Sequence, residues 1–109
     1  MTSEELKPVH DGQKSFWGRA KVERHAGAGL TVLVSYDTVV CTVDAAGDFH
    51  RTWKGWSRTT ARHIVEFFRQ FCNRGPVPHK AVWLAMPVED PWASGAAAAV
   101  GLFSLEARP

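Results

Sequence analysis

The sequence predicts an α+β domain, an antiparallel four-stranded meander packed on one main amphipathic helix. Three observations predict it. Four short stretches between Ser15 and Trp53 alternate apolar and polar residues in strand rhythm. Breaks carrying glycine or aspartate separate those stretches. Residues 57–73 then switch to a helical rhythm, the most sharply patterned segment of the chain.

The first strand is expected over Ser15–Ala26, where Phe16, Gly18, Ala20 and Val22 alternate with Trp17, Arg19, Lys21 and Glu23. Ala26-Gly27-Ala28-Gly29 breaks it. Leu30–Ser35 continues with Leu30, Val32 and Val34 on one face, whereas Val39, Cys41 and Val43 take the opposite parity. Tyr36-Asp37-Thr38 therefore holds a tight turn or a bulge, and its short, polar, locally hydrogen-bonding residues favour a hairpin turn. Asp44–Asp48 is a further turn, leading into a last strand over Phe49–Trp53. Strands in sequence with tight connections form a meander, and such a sheet buries one face.

The helix covers that face. At 100° per residue, Ala61, Ile64, Val65, Phe68, Phe71 and Cys72 fall on one arc, with Phe67 widening it. Arg58, Arg62, Glu66, Arg69 and Asn73 fall opposite, on the side left to solvent. Ser57 stands at the N-cap, and Gly75-Pro76 supplies the stop. A second short helix is expected over His79–Met86, where Val82, Trp83 and Met86 pack on the first and Pro87 ends it; a short final strand is the competing reading. Domain organisation follows as a flexible lead-in over 1–14, one domain over 15–86 and a Pro/Ala-rich tail over 87–109. Within that tail Ala96–Leu105 forms one weak helix or docking segment.

Composition excludes several classes. With 109 residues, 45% of them hydrophobic, the chain is a single globular domain rather than a disordered one. No apolar run approaches the roughly 20 residues that span a bilayer. The N-terminus lacks the basic-then-apolar order of a secretory signal, so Cys41 and Cys72 read as buried free thiols in a reducing cytoplasm.

Net charge is only +2 but unevenly placed. Residues 50–80 hold Arg51, Lys54, Arg58, Arg62, Arg69, Arg74 and Lys80 against Glu66 alone, a local +6 between flanks of −2 each. Trp53, Trp56, Lys54, Arg51 and Arg58 put aromatics among cations, the residue types that stack on bases and neutralise phosphate, which makes Arg51, Lys54, Trp56, Arg58, Arg62 and Arg69 the candidate nucleic-acid contacts. Ser57, Thr59, Thr60, Arg62 and His63 crowd the first helical turn, where free amides and the dipole favour an anion such as a nucleotide phosphate. The structural alternative has Ser57 capping, Thr60 bonding back and His63 tying the helix to a strand. No nucleophile, acid and base stand at a recognisable spacing, and the scattered histidines form no metal-ligand pattern. An enzyme, a metal and a cofactor are therefore not expected.

Three pieces together carry a resemblance: SFWGRAKV at 15–22, SYDTVV at 35–40 and WSRTTARHIVEF at 56–67. They resemble a family of small proteins from bacteriophages and other mobile elements, carrying a domain of unknown function. Its usual pattern is SFYGKA, SYxTxVA and WSxTTxRHIxEF. Trp17 replaces the commoner Tyr, and the Ala-rich tail has no counterpart. The resemblance implies a mobile-element setting and a strand-rich domain with one motif-bearing helix, without an activity. The expected function is thus a small non-catalytic interaction protein in the bacterial host cytoplasm, binding and modulating a host protein such as a defence component. Nucleic-acid binding through the basic segment is the alternative, and nucleotide or anion capture at the helix N-terminus the second. No membrane partner is expected, and a half-open sheet edge leaves room for a homodimer.

Overall fold

A computed structural model describes residues 1–72 and 74–90. Five antiparallel strands run in the order β1 (Thr2–Glu5), β2 (Ala20–His25), β3 (Leu30–Ser35), β4 (Thr38–Val43) and β5 (Phe49–Arg51), each paired with the next. Helix α1 (Arg58–Phe67) continues into a π-helical turn, Phe68–Cys72, and α2 (Lys80–Ala85) follows. The class is α+β and the sheet a meander, but with five strands rather than four.

The extra strand comes from the polar lead-in. All four residues of β1 are exposed, so no apolar alternation marks it. It is held by backbone pairing to β2 and by Leu6 just beyond, which is buried and donates its N–H to the Ala20 carbonyl. In turn β2 starts at Ala20 rather than Ser15, because the chain reverses at Trp17-Gly18. The hairpin turn preferred for residues 36–38 is present, and a bulge, the alternative reading of the parity change, occurs as well, a few residues earlier. Tyr36-Asp37 forms a two-residue hairpin turn, and a bulge between Leu33 and Val34 leaves Val40 as the extra residue of β4.

Ala20, Val22, Leu33 and Cys41 face the helices and join Leu6, Phe16, Ile64, Phe67 and Trp83 in the main core. A smaller cluster, Leu30 and Val32 with Ala28, Val34 and Val39, forms on the other side. Helix α1 starts where Ser57, in extended conformation, accepts the Thr60 N–H at 3.1 Å. Its buried face is Thr60, His63, Ile64 and Phe67, continued by Phe68. This corrects the expected solvated side: Glu66 is only 1% exposed. Its carboxylate is roofed by residues 10–11, more than fifty positions away, a contact no helical projection contains.

Helix α2 confirms the second short helix. Trp83, fully buried, lies beside Phe49 and Trp56 and donates its indole N–H to the Gly55 carbonyl at 2.7 Å. Gly55 is fixed by size, since a Cβ there would stand 2.4 Å from the Trp53 ring. Residues 91–109, including the helix expected over Ala96–Leu105, lie outside the described residues.

Candidate functional site

The three motif segments meet at one end of the sheet. Arg19 donates its N–H to the Phe16 carbonyl at 3.0 Å across Trp17 (φ +57°) and Gly18 (φ +72°), which makes Phe16–Arg19 a type I′ turn. That turn favours Asn, Asp or Gly at its first central position, not Trp. The geometry is held from outside. Ser15 Oγ accepts the Trp17 N–H at 2.8 Å, and the Glu5 carboxylate accepts from the Gly18 N–H and the Ser15 hydroxyl. Phe16 is driven inward and Trp17 outward, 72% exposed. On the β3–β4 turn, Tyr36 donates its N–H to the Arg19 carbonyl at 2.6 Å, also with φ +57° and with its side chain exposed.

Beside Phe16 and Tyr36, Ser35 Oγ lies 2.8 Å from His63 Nδ1 and 3.1 Å from Thr60 Oγ1, all three buried. Phe16 meets the His63 ring edge-on at 4.7 Å, and Tyr36 lies 6.1 Å from it. Burial pushes the His63 imidazole down to about 4; Asp11 nearby opposes the shift and Arg19 adds to it. His63 is therefore a neutral imidazole at physiological pH, tying α1 to β3 and packing against Phe16 and Tyr36.

The nine residues nominated from sequence do not assemble into one surface. Arg51 is buried: its guanidinium donates to the carbonyls of Trp53, Lys54, Trp83 and Met86 and lies 5.3 Å from the Trp83 ring centroid. Its charge thus sits against the last carbonyls of α2, where a helix end favours a cation. Lys54, Ser57, Arg58 and Thr59 are exposed, with the Ser57 hydroxyl committed to its cap. His63 points into the core. Trp56, Arg62 and Arg69 do share a surface, a groove of about 450 Å³ along the outer side of α1. Arg74, counted in the basic segment, reaches Asp48 at 3.4 Å. The +6 segment therefore presents less free charge than its composition suggests.

Behind the groove, Glu66 Oε1 accepts the N–H groups of His10 (2.7 Å) and Asp11 (3.0 Å), while Oε2 accepts from the Gln70 amide and lies 2.8 Å from His10 Nδ1. Burial works against its charged form, but the bonds from Gln70 and His10 outweigh that and hold the carboxyl below its usual range. A third cluster fastens the segment after α2. His50 bridges Asp44 (2.7 Å) and Glu89 (3.1 Å), and the Glu89 N–H donates to the Arg51 carbonyl. Burial opposes charging of His50, yet the two carboxylates raise its pKa overall.

Among the described residues no group of three or more His, Cys, Asp or Glu side chains is placed to hold a metal ion, and no helix is long and apolar enough to cross a membrane. Sequence reasoning passed over Ser35, Trp17, Tyr36 and Glu66. An isolated glycine in a strand pattern, Gly18, was the one available signal for the first turn.

Residues 4–83 match the model of a family described as "Family of unknown function (DUF8033)". No curated protein and no solved structure gives a significant match.

Proposed function

Because the chain belongs to the DUF8033 family, whose membership brings no activity with it, we propose its function from its surface. The protein is a small non-catalytic binding module, made by a bacteriophage or other mobile element. It acts in the bacterial cytoplasm by binding and modulating a host protein.

One observation carries this reading: two exposed aromatic side chains, Trp17 and Tyr36, stand on turns joined by the Tyr36 N–H to Arg19 carbonyl bond, each in sequence-disfavoured left-handed backbone. Each such residue costs on the order of 1–2 kcal/mol. Strain of that size persists where the surrounding contacts over-determine it, as the Ser15–Glu5 network and the His63 cluster do here. The return is preorganisation, since rigid Trp and Tyr side chains lose little freedom on binding and are the residue types that dominate interface energies. A buried His63 with a depressed pKa, bonded through Nδ1 to an equally buried serine, supports a structural rather than a chemical role for that pair.

The test is capture of a host protein by the immobilised full chain, compared between wild type and Trp17→Gly. Glycine suits φ +57°, so this variant keeps the turn, and its stability is expected within about 1 kcal/mol of wild type. Saturable capture by the wild type, lost in Trp17→Gly, is the expected outcome. No saturable partner, or undiminished capture by the variant, overturns the reading.

A further inference from the structure

We infer that the groove along the outer side of α1 binds an acidic segment of a partner protein, seating one apolar side chain between Trp56 and Val65 and a carboxylate on Arg69. This rests on the reading of the chain as a binding module, but on other residues than Trp17 and Tyr36.

The groove has an apolar trough, Ala61 and Val65 from α1 against Val77 and Pro78, with Trp56 as a wall. Arg62 and Arg69 stand seven residues apart along its length, about 10 Å by helical rise. The two cations are not equivalent. Arg62 already has a carboxylate, Asp11 Oδ2, at a loose 3.8 Å. Arg69 is exposed and makes no ion pair among the described residues. Asp11 shows what chemistry suits this rim, and Arg69 is the position where the same chemistry is unfilled. A guanidinium binds a carboxylate through paired N–H donors, and an apolar neighbour in the trough excludes water from that pair.

The same features disfavour a nucleic acid. Its backbone needs several convergent cations, whereas Arg51 is buried under α2 and Arg74 is occupied by Asp48. Trp56 is half-buried and is the one aromatic lining the groove, so there is no row of aromatic faces on which successive bases could stack.

The probe is a labelled twelve-residue peptide of repeated Glu-Glu-Leu, followed by fluorescence anisotropy with the full chain. Its twin carries Gln for Glu, and an oligothymidylate of the same length is the third probe. The acidic peptide is expected to bind about tenfold more tightly than its amide twin, and Arg69→Gln to remove most of that preference. Arg62→Gln is expected to have the smaller effect, because Asp11 competes there. Equal binding of acidic and amide peptides, or an unchanged preference in Arg69→Gln, overturns the inference. So does an oligothymidylate that outcompetes the acidic peptide. Running the peptide series also on Trp17→Gly separates the two readings. A preference that persists there while partner capture is lost supports the groove on its own, and its absence from both proteins overturns the groove while leaving the aromatic end to its own test.

Discussion

Thr42 illustrates how finely single side chains are balanced in this sheet. It is fully buried on β4, and its hydroxyl has no hydrogen-bond partner among the described residues. A buried unsatisfied hydroxyl costs about 1–3 kcal/mol. Thr42→Val keeps the shape and removes the orphan, so a stability gain of about 1 kcal/mol is expected, or a rise in Tm of about 4 °C. Thermal unfolding by circular dichroism checks it, and a lower Tm would mean that the hydroxyl is satisfied in solution. Trp17 runs the other way, keeping a backbone conformation that its own side chain disfavours. From sequence, Trp17 read as the polar-face partner in a strand, because alternation is a statistic of side chains and says nothing about the sign of φ.

At the scale of elements, two buried charges act as fasteners. Arg51 joins β5 to the C-terminal end of α2 and to the loop between β5 and α1. Arg51→Met removes the guanidinium from four carbonyls, of which that of Trp83 keeps the Met86 N–H, and a loss of about 3 kcal/mol or more is expected from the urea midpoint, with early loss of near-UV signal from Trp83. Arg51→Lys recovers little, because an ammonium cannot span carbonyls on both sides as the planar fork does. Glu66 does the equivalent for α1, and Glu66→Ala strands the N–H groups of His10 and Asp11. Faster hydrogen exchange at those two amides, with a cost of about 2 kcal/mol, is the expected result. Neither role was legible locally. Charge position on the helical wheel placed Glu66 in solvent and the basic run placed Arg51 on the surface; both were withdrawn by partners distant in sequence. By contrast the N-cap, the helix span and the short second helix were readable, because each depends on neighbours within a few residues.

For the whole molecule, the titrating groups set a stability curve with opposing limbs. His63 has a folded pKa near 4 against an ordinary 6.5, so the unfolded chain binds more protons between those values. Its contribution is complete above pH 6.5 and is lost as pH falls toward 4, roughly 3 kcal/mol in all. Glu66, held below 4.5, adds a loss as pH falls below that value. His50 has the opposite sign: its pKa is raised, so its bridge to Asp44 and Glu89 is complete below pH 6.5 and is lost as pH rises through the folded value. Maximum stability is expected near neutrality, with the acid limb the steeper. Urea denaturation from pH 4 to 9 measures it, and a flat curve between pH 6.5 and 4.5 would remove His63 from the account.

By itself the sequence determined the class, the meander order, the helix over α1 and the apolar identity of the core, since periodicity and turn chemistry are local and repeat along the chain. The fifth strand, the rotation of α1 that buries Glu66 and the withdrawal of Arg51 were decided only by tertiary structure. So was the meeting of Phe16, Tyr36 and Ser35 at His63. The reason is physical: an exposed edge strand carries no hydrophobic signature. A buried charge, likewise, is tolerated only where distant backbone groups converge on it, and convergence exists only once the chain has folded.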